Sequence, residues 1–239
     1  MKRRPRSPIV CLVTDRRRLP AARAGDGPAC DALVELVRAA GRAGVDIVQV
    51  RERGLDDRRL LRLVEGIVSA VEGSATRVVV NDRVDIALAA GAGGVHVRSE
   101  GPPPMRVRAI APAGWLIGRS VHRPDDVRPA EQVDGADYAI CGTVFESASK
   151  PGRRPLGVDG LAGVTRAVSL PVLAIGGVDA GNAALVAEAG AAGVAAIGYF
   201  ADGWRDSGQF DLGGRVGALR LAFDKGRGLA YFQGIHARR

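Results

Sequence analysis

At 239 residues the chain is long enough for one large domain with a sizeable core, and 46% hydrophobic against 25% charged residues exclude a disordered chain. Aromatics at 4% leave Val, Leu, Ile and Ala to fill that core, the diet of a parallel barrel interior. The net charge of +8 is nearly all arginine, clustered at Met1–Arg6, Arg16–Arg18 and Arg238–Arg239. With no stacking aromatics interleaved, these clusters read as solvated segments and not as a nucleic-acid surface, although such charge can steer an anionic substrate. Cys11, Cys30 and Cys141 show neither CxxC spacing nor an even-numbered framework, which reads as a reduced, cytoplasmic protein. The apolar run Pro8–Val13 is too short for a secretory segment, and no stretch approaches the roughly 20 apolar residues of a membrane span.

In chain order, short apolar runs alternate with amphipathic segments. Strands are expected at Ile9–Thr14, Asp46–Arg51, Val78–Asn81, Gly94–Val97, Leu116–Val121, Tyr138–Thr143, Pro171–Gly177 and Gly193–Tyr199. Their continuous apolar character suits strands covered on both faces. Helices are expected between them at Cys30–Ala43, Arg58–Val71, Val84–Ala90, Pro103–Ile110, Asp125–Val133, Gly160–Val168 and Asn182–Ala189. Asp56–Asp57 and Asp125–Asp126 are placed as acidic caps. Eight strands with intervening helices in about 200 residues make an α/β fold, a single-domain (β/α)8 TIM barrel. An open doubly wound sheet would expect a glycine-rich turn after its first strand, where this chain has Asp15 and Arg16–Arg18. The expected layout is a basic tail over 1–7, the barrel over 8–225 with Val216–Phe223 closing its last helix, and a loose tail over 226–239.

In such barrels the chemistry sits at the C-terminal ends of the strands. Those ends carry Gln49, Arg51 and Arg53; Asn81 and Asp82; His96 and Arg98; Ser120 and His122; Thr143 and Lys150; then Gly176, Gly177 and Gly198. Glycines after the last two strands let backbone N–H groups approach a phosphate closely, though each could also serve a tight turn. Gln49, Arg51 and Arg53 would share one strand face, which calls for an anion or an internal salt bridge with Glu52 or an Asp. Lys150 lies in a flexible loop, where a solvated lysine is the plain alternative. His96 reads as a core histidine and His236 as a tail residue. His122 is the histidine placed where a ligand could reach a titratable imidazole.

Ile47–Arg53 (IVQVRER), Val80–Leu88 (VNDRVDIAL), Ile117–His122 (IGRSVH), Ala136–Tyr138 with Gly142–Glu146 (GTVFE), and Ala174–Gly177 (AIGG) together resemble the thiamine phosphate synthase/TenI superfamily. The match runs in unbroken order from about Pro8 to Tyr199, and implies a TIM barrel with a role in thiamine biosynthesis. Two branches compete. Resemblance to the TenI-type thiazole tautomerase, the reading placed first, implies isomerisation of a carboxythiazole phosphate to the aromatic thiazole phosphate. It implies proton transfer by His122, no cofactor, Arg51 or Lys150 holding the substrate carboxylate, and Gly177, Ile197 and Gly198 holding the phosphate. Resemblance to the synthase, placed second, implies joining a pyrimidine diphosphate to a thiazole phosphate with loss of pyrophosphate. It implies Gln49, Arg51, Asn81, Ser120 and Lys150 as substrate ligands and Mg2+ on Asp82.

Three departures from the synthase pattern put the tautomerase first. Arg53 replaces a lysine, Gly101 (with Arg98 nearby) replaces a second magnesium carboxylate, and Glu146–Lys150 replaces a threonine-rich loop. Glu100, beside Gly101, is the available substitute. A non-catalytic sensor of a phosphorylated ligand is the third reading. No nucleic-acid or membrane partner is expected, and a homo-oligomer stays open.

Overall fold

The computed structural model describes residues 8–127, 133–147, 152, 154–204 and 210–236. Eight strands, β1 (Ile9–Val13), β2 (Ile47–Val50), β3 (Arg77–Asn81), β4 (Gly94–Val97), β5 (Leu116–Val121), β6 (Tyr138–Gly142), β7 (Val172–Ile175) and β8 (Gly193–Ala196), pair in parallel and in sequence order. The pairing of β1 with β8 closes the barrel. Helices α1 (Asp26–Arg42), α2 (Asp57–Ala70), α3 (Val84–Ala89), α4 (Pro104–Arg108), α5 (Gly157–Ala167), α6 (Ala183–Glu188), α7 (Gly198–Ala201) and α8 (Leu212–His236) follow the strands. This is the expected TIM barrel, in a single closed sheet. No helix among the described residues is long and apolar enough to cross a membrane.

Where element bounds differ from expectation, local chemistry explains the difference. The strand expected over Pro171–Gly177 stops at Ile175, because Gly176 and Gly177 adopt φ of 99° and 62° and turn the chain out of the sheet. The strand expected over Gly193–Tyr199 stops at Ala196, and Gly198 opens α7. Helix α1 begins at Asp26, four residues early, with Pro28 in its first turn, where a missing N–H costs nothing. Asp56 caps α2 as expected, its carboxylate accepting from the Arg59 N–H at 2.9 Å. The helix expected over Asp125–Val133 is a 3-10 turn at Pro124–Val127, and 128–132 lie outside the described residues. The last helix runs on to His236 through the segment read as a loose tail.

Two cores follow from the alternation of side chains along each strand. The larger lies between sheet and helices and includes Leu12, Val48, Val80, Val95, Ile117, Phe200 and Phe223. The smaller fills the barrel with Cys11, Val13, Ile47, Val79, Tyr138, Ile140, Leu173 and Ala195. One position of that interior is left empty. Gly118 pairs in register with His96 on one side and Tyr138 on the other. A Cβ there would lie 2.3 Å from His96 Nδ1 and 2.5 Å from the Tyr138 hydroxyl, so both side chains occupy space that any larger residue would claim.

Candidate active site at the barrel mouth

The strand ends carry three groups of polar residues. The first is a row across β2 and β3. Gln49 Nε2 donates to Asn81 Oδ1 at 2.8 Å, and Asn81 Nδ2 donates to Asp82 Oδ2 at 2.8 Å. An ionised carboxylate only accepts, so Asp82 fixes the Asn81 amide, and Asn81 in turn fixes Gln49. The row therefore ends in Gln49 Oε1, a buried acceptor without a partner among the described residues. Asp82 sits at φ 61°, a left-handed conformation uncommon outside glycine, asparagine and aspartate. Its backbone is held there by donation to the His96 carbonyl at 2.9 Å. Its Oδ1 accepts from the Arg98 N–H at 2.9 Å, and the Arg98 guanidinium lies 3.6 Å from Oδ2.

Arg51 flanks this row half-buried, and burial together with Arg53 and Arg17 pushes its pKa down. The shared strand face expected for Gln49, Arg51 and Arg53 does not extend to Arg53. Strand β2 ends at Val50, and Arg53 lies in the exposed turn beyond. The internal salt bridge with Glu52 exists, but its cation is Arg16. Arg16 Nη1 reaches Glu52 Oε2 at 3.1 Å, its Nη2 reaches Asp26 at 2.7 Å, and its backbone N–H donates to both Glu52 oxygens. Arg16 is only 3% exposed, so within the run Arg16–Arg18 it is not solvated, whereas Arg17 is exposed. Burial raises the Glu52 pKa against the opposing pull of Thr14 and Arg16.

The second group lines a cleft of about 950 Å³ over β5 and β6. Ser120, His122, Thr143, Glu100, Arg123 and Arg154 face it. His122 Nδ1 lies 2.6 Å from the Gly142 carbonyl, which can only accept, so Nδ1 carries the proton and Nε2 is left as the basic atom. Asp126 fixes the turn by accepting from the His122 and Arg123 N–H groups at 2.7 and 3.0 Å. Buried Arg119 spends its guanidinium on the carbonyls of Ser99, Gly101 and Pro102. That fastens down the loop in which Gly101 packs: a Cβ at Gly101 would lie 2.6 Å from Val97 Cγ1.

The third group lines a neighbouring cleft of about 520 Å³ with Gly176, Gly177, Ile197, Gly198, Arg18, Thr143 and Arg215. Both glycines after β7 are needed as such. A Cβ on Gly177 would lie 2.2 Å from the Glu146 carbonyl oxygen, and one on Gly176 would lie 2.9 Å from Thr143 Cα. The N–H groups of Gly177 and Gly198 have no protein acceptor among the described residues, which suits them to an anion. Arg18 hangs over Gly198, held by a bidentate pair to Asp202 at 2.8 and 2.7 Å. Arg215 lies 4.3 Å from the centre of the Phe210 ring and donates to the Tyr199 carbonyl at 2.8 Å.

The barrel thus gathers most of the predicted residues. Ser120 and His122 share one cleft, Gly176, Gly177, Ile197 and Gly198 share the other, and Gln49, Asn81 and Asp82 form one row. Lys150 lies outside the described residues. His96 is the core histidine expected, fully buried with both ring nitrogens engaged. Arg18, Arg154, Arg215 and Asp126 were not foreseen as site residues. The basic run Arg16–Arg18 after β1 is the signal for Arg18; Arg154 lies in a loop, Asp126 in the 3-10 turn at Pro124–Val127 and Arg215 in the first turn of α8.

A family model described as thiamine monophosphate synthase (TMP-TENI) matches residues 21–200. A thiamine-phosphate synthase of Roseiflexus castenholzii is 39% identical over 190 residues, which cover 79% of each protein. One of Chlorobium luteolum is 34% identical over 194 residues, 81% of this chain and 85% of that one. The solved structure of thiamine phosphate pyrophosphorylase from Pyrococcus furiosus superposes with a TM-score of 0.73 at 29% identity, covering 92% of this chain and 96% of its own. With three quarters of its length inside that family model, the chain belongs to the thiamine monophosphate synthase (TMP-TENI) family of thiamine-biosynthesis enzymes.

Proposed function

We propose that this chain is a thiamine-phosphate synthase, which joins a pyrimidine diphosphate to a thiazole phosphate and releases pyrophosphate. The observation that carries this reading is the pair of clefts meeting at Thr143, one built around Ser120 and His122 and the other around the glycine cradle. An isomerase acting on one thiazole phosphate needs only the second cleft and a neighbouring base. A transferase needs two sites that open onto each other, so that the nucleophile and the departing group lie in line. The names of the relatives support the same choice over the tautomerase that the sequence put first.

In this reading the thiazole phosphate is held by the N–H groups of Gly177 and Gly198 and by Arg18. Gln49 Oε1 accepts from the exocyclic amine of the pyrimidine, which gives that buried oxygen the donor it lacks. Arg51, Ser120, Arg154 and Lys150 serve the diphosphate end. As the carbon–oxygen bond to diphosphate breaks, charge builds on the leaving oxygens, and fixed cations stabilise it without reorganising. The thiazole nitrogen then forms the new bond to carbon.

Asp82 fits a magnesium ion shared with diphosphate, because Mg2+ commonly takes one or two carboxylates and completes its shell with phosphate oxygens and water. Gly101, packed against Val97, supplies no second carboxylate, and the one in the same loop is that of Glu100, which lines the cleft over β5 and β6. Arg98 stands beside Asp82 instead. When bound, the metal would neutralise charge on the departing pyrophosphate. His122 keeps a base at Nε2, and that atom is what favours the second reading, proton transfer in a carboxythiazole phosphate.

One assay separates the two. Purified protein is given pyrimidine diphosphate with thiazole phosphate in one tube and the carboxythiazole phosphate isomer in another, each with and without magnesium. Magnesium-dependent pyrophosphate release is expected. Metal-independent isomerisation abolished by His122→Ala, with no pyrophosphate in the first tube, would overturn the synthase reading. Ligand binding without turnover in either tube would leave a sensor.

A further inference from the structure

Three side chains inside the barrel form a line that ends in the larger cleft. Tyr138 on β6 is completely buried, and its hydroxyl lies 3.3 Å from His96 Nδ1. His96 on β4 is equally buried, and its Nε2 lies 2.9 Å from Ser120 Oγ on β5. The two rings meet across the place where Gly118 has no side chain, with centroids 5.7 Å apart. Ser120 lies two residues further along β5, on the same face and nearer the mouth, where it lines the cleft.

Proton counting fixes the direction of this line. Among the described residues the Tyr138 hydroxyl has one hydrogen-bond partner, His96 Nδ1. If Nδ1 carried the ring proton, it would donate to the phenolic oxygen and leave the phenolic proton buried with no acceptor. With Nδ1 bare, Tyr138 donates to it, Nε2 carries the proton, and Nε2–H donates to Ser120 Oγ. Ser120 is then an acceptor on its inner side, and its own proton is turned outward into the cleft.

We propose that Tyr138 and His96 are positioning residues that lock Ser120 as a hydrogen-bond donor toward an acceptor on the ligand in the cleft, a diphosphate oxygen or a ring nitrogen. The role of Ser120 in turnover rests on the synthase reading, while the direction of the line does not. The cost of a wrongly turned hydroxyl is one hydrogen bond in the transition state, about tenfold in rate.

The test has a spectroscopic arm and a kinetic arm. Long-range proton–nitrogen correlation on uniformly 15N-labelled wild-type protein reads the tautomer of each of the three histidines. His96 is expected with Nδ1 bare and Nε2 protonated, and in Tyr138→Phe its signals are expected to move toward a mixture of tautomers. In the kinetic arm Tyr138→Phe is expected to lower kcat about tenfold in protein that remains folded at the assay temperature. Combined with Ser120→Ala it is expected to add nothing to the loss caused by Ser120→Ala alone. An Nδ1-protonated His96 in the wild type overturns the proposal, as does full additivity of the two substitutions. If the protein shows no synthase turnover, that result counts against the synthase reading, and the tautomer still decides the direction of the line.

Discussion

His96 makes the stability of this barrel sensitive to mild acid in a way that follows from its burial alone. Its pKa is lowered from 6.5 to about 3, first by desolvation and then by the positive charge of Arg119. Between those two values the unfolded chain binds a proton that the native state refuses. The stabilisation is therefore complete above pH 6.5 and is lost as pH falls toward 3. From pH 7.5 to pH 5 the unfolded imidazole gains nearly one and a half pH units of protonation free energy, which makes the loss about 2 kcal/mol. For a chain of this size that corresponds to roughly 4–8 °C in Tm.

Urea unfolding at a series of pH values, with wild type and His96→Gln side by side, isolates the effect. The variant costs stability at neutral pH, but its loss between pH 7.5 and 5 should be about 2 kcal/mol smaller than that of the wild type. The carboxyl of Glu52 works in the opposite sense, since its raised pKa favours the native state as pH falls, but it is present in both proteins and cancels. Asp85, lowered to about 2 by Arg83, releases its contribution only below the window. Parallel pH dependences for the two proteins would refute the reasoning, because they would mean that a charged imidazole is tolerated beside Tyr138.

Glu52→Ala should be among the costliest single changes, since it leaves the guanidinium of Arg16 buried with Asp26 as its remaining charged partner among the described residues. About 3–5 kcal/mol is expected, and a urea midpoint measurement showing less than about 1 kcal/mol would refute it. Gly177→Ala places a Cβ at φ 62° and 2.2 Å from the Glu146 carbonyl. It should cost roughly 1–3 kcal/mol in the same measurement and raise KM for thiazole phosphate while leaving that for the pyrimidine unchanged. Arg18→Ala leaves the Asp202 carboxylate facing the glycine cradle alone, and steady-state kinetics should show KM for thiazole phosphate rising about 10–100-fold with kcat little changed.

The strands were legible because an apolar run flanked by polar residues has few other uses in a chain of this composition. All eight lie where the sequence put them, and they were overextended at ends where a glycine or a turn intervenes, as at Gly176 and at Arg51. The mouth was legible as a list of residues but not as a set of partners. Gln49, Asn81 and Asp82 are 32 residues apart in sequence at the first step and adjacent at the second, and the hydrogen bonds that order them come from strand register. Arg16 shows the limit most clearly. It sits in a run of three arginines, which on its own is a solvated pattern, and only the convergence of Glu52 and Asp26 buries it. His96 was read correctly as core, yet its link to Ser120 needed the gap at Gly118, a glycine with no turn to make and an ordinary φ.

The polarity of the row at β2 and β3 changes what Asp82→Asn would mean. The obvious expectation is loss of magnesium and hence of turnover. But the Asp82 charge also fixes the Asn81 amide, and through it leaves Gln49 Oε1 as the outward acceptor. An asparagine at 82 can donate as well as accept, so the row loses its only one-way member and the Gln49 amide is free to turn. Two causes thus share one substitution, and a magnesium titration separates them. If Asp82 acts through the metal, the variant should recover activity at high magnesium with KM for the pyrimidine diphosphate near that of the wild type. If it acts through the row, added magnesium should restore nothing, and KM for the pyrimidine should stay raised about tenfold, the worth of one misdirected hydrogen bond. Asn81→Ala supplies the control, since it removes the acceptor that orients the Gln49 amide while keeping the Asp82 carboxylate. Its KM should rise by a similar factor, and a wild-type KM in that variant would refute the orienting role of the row.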